Sequence, residues 1–518
     1  MNKTIVKLFI LCLLFVSINQ IVLNLDNKPL FFDAKNNNIC SYNILNKAFE
    51  DKSIMCGSET FRPPLMRFLS FDFMLGFGMS EDTSLMFNYL FIFILIFGIY
   101  YLGELLFSKK VGFYSAIIIS LLPAIFSFSR VFKEAFMMTA LIVPNLYFIL
   151  KTNYFENKKY SLLSGIILGL GMLVMPTYIV YIIGPVVFIF IKIFFLEEKK
   201  KKLTNFLIFV FSAIIVSGWW YFNNIIKTFK IFVNGSILNS NNAYSYYSLW
   251  YEPKSLLFYF LALFVIQLSI PTSLFLVLAL KKYLKNPLRF ISKNNSIIIG
   301  LFILVPIIFF TLVNAKSVRY TLPILSVLTI FICGIILDKK TNTKLIKYIL
   351  ISTLLLQFII INLNLFGYGK FLDSFEYQLD PSFKYYSPDV KDSLYYPITN
   401  YTKDNITSTF KELDIKPYEH IIIIPFDYKI FGDFQDYSYK HNHRWVIETG
   451  NCNINQEISQ DYVFFIQNTT AKKTKGILPN YCNQSQTKKI LSTLNEEYQF
   501  INSETFVNKN ILVFEKIT

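Results

Sequence analysis

Residues 296–337 read "SIIIGLFILVPIIFFTLVNAKSVRYTLPILSVLTIFICGIIL", and within them only Lys316 and Arg319 carry a charge. The apolar runs on either side of that link, near 296–315 and 320–337, each reach roughly the twenty residues that cover ~30 Å of hydrocarbon at ~1.5 Å rise per residue. They read as two membrane spans joined by a short cationic link. The same criterion carried outward finds about eleven spans, near 4–24, 85–107, 111–129, 135–151, 160–175, 177–196, 203–222, 255–280, 296–315, 320–337 and 344–365. The fold class expected is therefore mainly α, a polytopic membrane helical bundle. The first run follows Lys3 and Lys7 as a signal peptide would, but no small-x-small cleavage site comes after it, so it is read as an uncleaved span.

Composition agrees. Of 518 residues 54% are hydrophobic and 18% aromatic, too apolar for a soluble globular protein. The formal charge of +16 raises nucleic acid as a partner, but Lys and Arg are spread through short links rather than gathered on one surface, which excludes it. Alternate links sort by charge. One set, from Lys109 to Lys347, holds eighteen cations, whereas the other short links hold six: Arg130, Lys133, Lys227, Lys230, Lys316 and Arg319. By the positive-inside rule the first set is cytoplasmic. Lys316 and Arg319 then stand on the outer face, which otherwise avoids cations.

Two outer loops are long, 25–84 and 223–253, and the first contains "RPPLMRFLSFDFMLGFG", which reads as an interfacial helix started by Pro63 and Pro64. Residues 1–365 form the membrane unit. After that, Asn, Asp, Tyr and Thr increase, and the runs "HIIIIPF", "DYVFFIQ" and "NILVFEKI" read as strands, with "QTKKILSTLNEEYQF" as a helix. Residues 366–518 are thus expected to be a small α/β soluble domain on the outer face. Cys40, Cys56, Cys452 and Cys482 all fall in outer segments and are disulfide candidates, with three connectivities open.

Ionisable groups at the outer ends of spans are the candidates for chemistry, because placing charge in hydrocarbon costs about 2.5–3.5 kcal/mol on insertion scales. Asp33 follows the first span, "FSRVFKEAF" supplies Arg130, Lys133 and Glu134, and "NAKSVRY" supplies Lys316 and Arg319. The segment "NNAYSYYSLWYEP" adds Tyr246, Tyr247 and Trp250, either an interfacial aromatic belt or an aromatic surface on which a ligand stacks. His441 and His443, two apart without a Cys or carboxylate at a familiar spacing, make a poor metal signature. The sequence names no cofactor with certainty, and a divalent metal stays open as an alternative without a motif to support it.

These motifs, in this order relative to the spans, resemble the polytopic GT-C glycosyltransferases, which include protein O-mannosyltransferases, aminoarabinose transferases and RgtA/B/C/D-like sugar transferases. Asp33 matches an Asp that opens the family's folded first outer loop. Pro63, Pro64 and Leu65 match a "PPL" motif, and Glu134 matches an acid at the outer start of the fourth span. Trp220, Tyr221 and Asn224 resemble a "WYxxN" stretch. Lys316, Arg319, Tyr320, Leu322 and Pro323 match "K-x-x-R-Y-x-L-P". Many members carry a second acid directly after the first Asp; Ala34 stands there instead, so a metal-binding acidic pair is not supported.

What the resemblance implies is transfer of a sugar from a polyprenyl-phosphate donor to a hydroxyl of a glycolipid, polysaccharide or protein, on the periplasmic or extracellular side of a bacterial inner membrane. The attacking hydroxyl needs a base, for which Asp33 and Glu134 are the candidates. The departing phosphate needs cations, for which Lys316 and Arg319 are the first candidates, followed by Arg130 and Lys133. The competing reading is a transporter or flippase for a lipid-linked saccharide.

Overall fold

The computed structural model describes residues 3–25, 63–77, 83, 85–233, 246–247, 251–285, 292–337, 343–363, 365–368 and 371, then 420–424, 446–449, 462–468, 491–492, 494, 498–506 and 509–516. Asp33, Trp250, the four outer cysteines, His441 and His443 lie outside the described residues.

The membrane part is a bundle of helices in chain order. They are α1 (Lys3–Leu25), α2 (Leu65–Phe77), α3 (Phe87–Leu106), α4 (Lys109–Leu121), α5 (Pro123–Phe128), α6 (Glu134–Lys151) and α7 (Lys158–Val174). Then come α8 (Tyr178–Ile193), α9 (Lys199–Val233), α10 (Pro253–Leu261), a π turn (Ala262–Gln267), α11 (Ser269–Lys285), α12 (Lys293–Leu312), α13 (Leu322–Ile336) and α14 (Thr343–Asn362). Helix α13 is central. Every one of its residues except Phe331 is buried, as α4, α6 and α11 pack around it. Its sequence is correspondingly apolar on all sides, the mark of a helix enclosed by others. Around that axis α3 packs between α4 and α6, α7 lies on α6 and α9, α8 lies on α12, and α1 lies on α3 and α4.

Helices occupy all eleven expected positions, but not as eleven uniform spans. Among the described residues six helices are long and apolar enough to cross a membrane: Lys3–Leu23, Phe87–Leu106, Glu134–Lys151, Lys199–Ile226, Asn294–Leu312 and Val318–Ile336. A seventh arises if Ser255–Gln267 and Ser269–Lys285 count as one span, although they are bent by 111°. Tyr178–Ile193 and Tyr348–Asn362 are shorter apolar helices. The departures have local causes. Pro123 ends α4, since Leu122 before it is pushed to an extended conformation (φ −71°, ψ 127°). Pro176 does the same after α7, with Met175 extended (φ −156°, ψ 132°). Ser269 sits at φ +61° where the bent pair turns, an unusual backbone for a residue with a side chain.

Close approach of α3 and α4 depends on two glycines that face each other. A methyl added to Gly112 would lie 2.3 Å from the Tyr100 carbonyl oxygen, and one on Gly103 would lie 2.7 Å from Gly112 Cα. Small residues of this kind let membrane helices touch backbone to backbone. Gly112→Val is therefore expected to destabilise the bundle by about 1–3 kcal/mol, as overpacking does, and to lower the apparent Tm in detergent. Gly76→Ala, whose methyl meets nothing within 4 Å, should leave Tm unchanged or slightly raised.

In the C-terminal region five strands form one mixed sheet in the order β4-β3-β5-β7-β6, with β3 His420–Ile424, β4 Val446–Thr449, β5 Tyr462–Asn468, β6 Tyr498–Phe506 and β7 Lys509–Lys516. Strands β4, β3 and β5 run parallel, whereas β7 and β6 join antiparallel, with a register shift between Phe500 and Asn502. The stretch read as one helix from 486 to 500 is helical only at 491, 492 and 494 among the described residues, and it becomes strand from Tyr498. The acidic pair Glu496–Glu497 masked the switch of period.

Candidate functional site

Three neighbouring segments make up the candidate site: the first packs against the second, and the second and third share buried hydrogen bonds. The first is the turn between α5 and α6. There Asn88, at the start of α3, donates from Nδ2 to the Ser129 carbonyl (3.1 Å), and the Ser129 hydroxyl donates to Asn19 Oδ1 on α1 (2.9 Å). The Tyr89 hydroxyl adds a bond to Gln20 Oε1. The 129–134 turn is thereby fixed to the last part of α1, six residues before that helix ends, and to the first turn of α3. Arg130, Lys133 and Glu134 are all buried in this turn. Arg130 Nε donates to the Phe126 carbonyl (3.3 Å), and its guanidinium lies 4.6 Å from the Phe126 ring centroid. Glu134 is the first residue of α6, where a negative charge meets the positive end of the helix dipole.

The second segment is the bent pair. Helix α5 packs against the π turn, so the Arg130 turn and the break in the α10–α11 span are neighbours. π turns inside helices recur at functional sites. The last residue of this one, Gln267, is fully buried. Its Nε2 donates to the Val318 carbonyl (2.6 Å), and its Oε1 accepts from the Thr321 hydroxyl (2.8 Å).

The third segment is the cationic link itself. Ala315–Lys316 forms strand β2, which pairs antiparallel with β1, Tyr246–Tyr247, in the register Tyr246↔Lys316 and Tyr247↔Ala315. Val318–Thr321 then makes one 3₁₀ turn that leads into α13, with Pro323 in the first turn of that helix. Lys316 is 1% exposed, and its ammonium donates to the carbonyls of Phe310 (3.1 Å), Thr311 (2.5 Å) and Val313 (2.6 Å). An ammonium has three N–H donors, and all three are used to close the C-terminal end of α12. Burial pulls the Lys316 pKa down to about 8, against the carbonyls, which favour the charged form. Lys316→Met would strand three carbonyls, and a loss of about 2 kcal/mol is expected, read as a lower apparent Tm.

Arg319 is half-buried, with its guanidinium carbon 5.4 Å from the Tyr320 ring centroid. Tyr320 in turn stacks on Phe310, with centroids 4.4 Å apart and planes within 6°. The two cations that the sequence offers as an equal pair thus differ: one closes a helix, and the other lies against an aromatic stack.

Of the other sequence candidates, Pro63 and Pro64 are buried just before α2, the Pro64 carbonyl accepting from the backbone N–H groups of Arg67 and Phe68. Trp220 is buried in α9, and the Tyr221 hydroxyl donates to the Met172 carbonyl (2.9 Å). Among the described residues no cluster of three or more His, Cys, Asp or Glu gathers to hold a metal. Sequence reasoning missed Gln267, Tyr181, Asn19, Asn88 and the buried Arg67. The available signal was each one's polarity inside an apolar run, which in a membrane helix marks a partner to be found.

The fold is similar to those of several solved proteins, and one family model matches part of the chain. Residues 62–222 match the family described as dolichyl-phosphate-mannose-protein mannosyltransferase. The fold is similar over 97% of this chain and 97% of that chain to ArnT from Cupriavidus metallidurans bound to undecaprenyl phosphate, at 11% identity and TM-score 0.61. The apo state of that protein gives 0.60 over the same shares, also at 11% identity. An oligosaccharyltransferase from Archaeoglobus fulgidus in the apo form gives TM-score 0.50 at 12% identity, covering 97% of this chain and 70% of that one. No curated protein sequence matches the chain.

Proposed function

We propose that this protein transfers a sugar from a polyprenyl-phosphate donor to a hydroxyl acceptor at the outer face of the membrane. The observation that carries the reading is the 313–321 link: a cation on an aromatic stack, at one end of an apolar bundle, built into a fold similar to that of an enzyme bound to undecaprenyl phosphate. In this reading the acceptor oxygen attacks the anomeric carbon as Asp33 takes its proton. The bond from that carbon to the phosphate oxygen breaks, and the phosphate leaves on its lipid with the new negative charge facing Arg319.

Lys316 acts through position rather than contact, since its donors close α12. Arg130 and Lys133 raise the local positive potential next to the π turn, and Glu134 anchors α6 or serves as a second carboxylate. The isoprenoid tail lies along apolar helix surface, which gives a reason for building the enzyme within the bilayer. Tyr246, Tyr247 and Trp250 belong to a loop that covers the sugar. Residues 1–365 are the catalytic unit and 366–518 an outer-face unit. Acceptors of the three classes the resemblance implies (glycolipid, polysaccharide and protein) fit this chemistry.

One feature favours the transporter reading: a broken, polar-tipped helix such as the Gln267 break is also how carriers bind ligands. A single assay separates the two. Vesicles containing the protein and a donor labelled in both sugar and lipid are expected to release unglycosylated polyprenyl phosphate as labelled sugar appears on acceptor. Donor that crosses the bilayer with both labels still joined would overturn the enzyme reading.

A further inference from the structure

We infer that Gln267, with Tyr181, is a positioning residue for Arg319: the two side chains fix the 3₁₀ turn that aims the guanidinium at the donor phosphate. The inference rests on the reading of Arg319 as the phosphate contact and adds the groups that make it effective. A single 3₁₀ turn has few bonds of its own, and its hydrogen-bond geometry is poor, so the direction of a side chain carried on it is soft unless outside groups hold the backbone.

Here the carbonyl of Arg319 and those of the residues on either side of it each accept a hydrogen bond. The Val318 carbonyl accepts from Gln267 Nε2 at 2.6 Å, from the π turn. The Arg319 carbonyl accepts from the Leu322 backbone N–H. The Tyr320 carbonyl accepts from the Tyr181 hydroxyl at 2.5 Å, from α8. The residues on both sides of Arg319 are therefore gripped by side chains from two different helices. Gln267 grips twice, because its Oε1 also takes the Thr321 hydroxyl at 2.8 Å. Tyr181 and Gln267 are fully buried, and the Gln267–Val318 bond forms where water does not compete.

The placement of Gln267 has its own logic. An α-helix running straight through 262–269 would turn this amide elsewhere. The extra residue of the π turn, followed by Ser269 at φ +61° and the 111° bend, ends the helix with the Gln267 side chain against the 318–321 backbone. A broken span in apolar surroundings is costly, and what accompanies it here is the pair of hydrogen bonds between Gln267 and the Arg319 turn.

Binding of undecaprenyl phosphate alone, to the full chain in nanodiscs, tests this without knowledge of the sugar. Gln267→Met keeps length and volume but removes both bonds, and it is expected to weaken binding about tenfold, with Tyr181→Phe giving a smaller loss of the same kind. In an Arg319→Ala background both losses should disappear, since residues that act through one group are not additive. Should Gln267→Met fail to fold, Tyr181→Phe and Thr321→Val carry the same cycle. If the losses persist in the Arg319→Ala background, or if neither Gln267→Met nor Tyr181→Phe changes binding while Arg319→Ala does, the positioning role is overturned and the phosphate reading stands. If Arg319→Ala itself leaves binding unchanged, that reading falls instead.

Discussion

Arg319→Ala is expected to reduce sugar transfer by about 10²–10³-fold, the cost of removing one charge-stabilising donor from a site shielded from water. Undecaprenyl phosphate binding should weaken with it, because the leaving group and the free lipid phosphate present the same charge. Arg319→Lys should recover only part of either. A lysine supplies the charge, but not the planar fork that meets two phosphate oxygens, nor the flat face that lies on Tyr320. Steady-state transfer with a labelled donor and equilibrium binding of the lipid phosphate measure the two effects. Unchanged transfer by Arg319→Ala in folded protein would remove the link from the site.

Asp33→Asn is expected to be as damaging to transfer and harmless to binding. The substitution keeps size and polarity but cannot accept the hydroxyl proton, and loss of a general base costs about 10²–10⁴-fold. Undecaprenyl phosphate carries no acceptor hydroxyl, so its affinity should stay at the wild-type value. That split, turnover lost and product affinity kept, separates a base from a residue that merely holds the first outer loop. Glu134→Gln gives the comparison. If Glu134 only anchors α6, its loss should lower Tm and leave the turnover of the folded fraction nearly intact; a turnover collapse like that of Asp33→Asn would make it the base.

The membrane part of this fold could be read from the sequence because lipid imposes a length rule, and apolar runs such as 85–107 and 320–337 satisfy it with little ambiguity. The same rule conceals breaks. Between 111 and 129, and between 255 and 280, the chain carries no charge, and a count of apolar residues alone does not show that Pro123 stops one helix or that another ends at Gln267 and Ser269. The first break is local to its proline, whereas the partners of Gln267 at the second lie 51 and 54 residues away, at Val318 and Thr321. The charged link was legible as an exception to the positive-inside pattern. That Lys316 would turn back on α12 while Arg319 faces an aromatic stack was not, since both are cations three residues apart and only the helix ends distinguish them.

The 313–321 link is closed at one end by an ammonium on three carbonyls and gripped at the other by Gln267 and Tyr181, so its order exists before any ligand arrives. Such preorganisation removes an entropic penalty from binding, and it does so equally for the arriving donor and for the spent lipid phosphate, which share the anionic group. Under the proposed function the enzyme would then be slowed by its own product, and escape of the carrier lipid, rather than cleavage of the glycosidic phosphate bond, would govern the rate of repeated turnover.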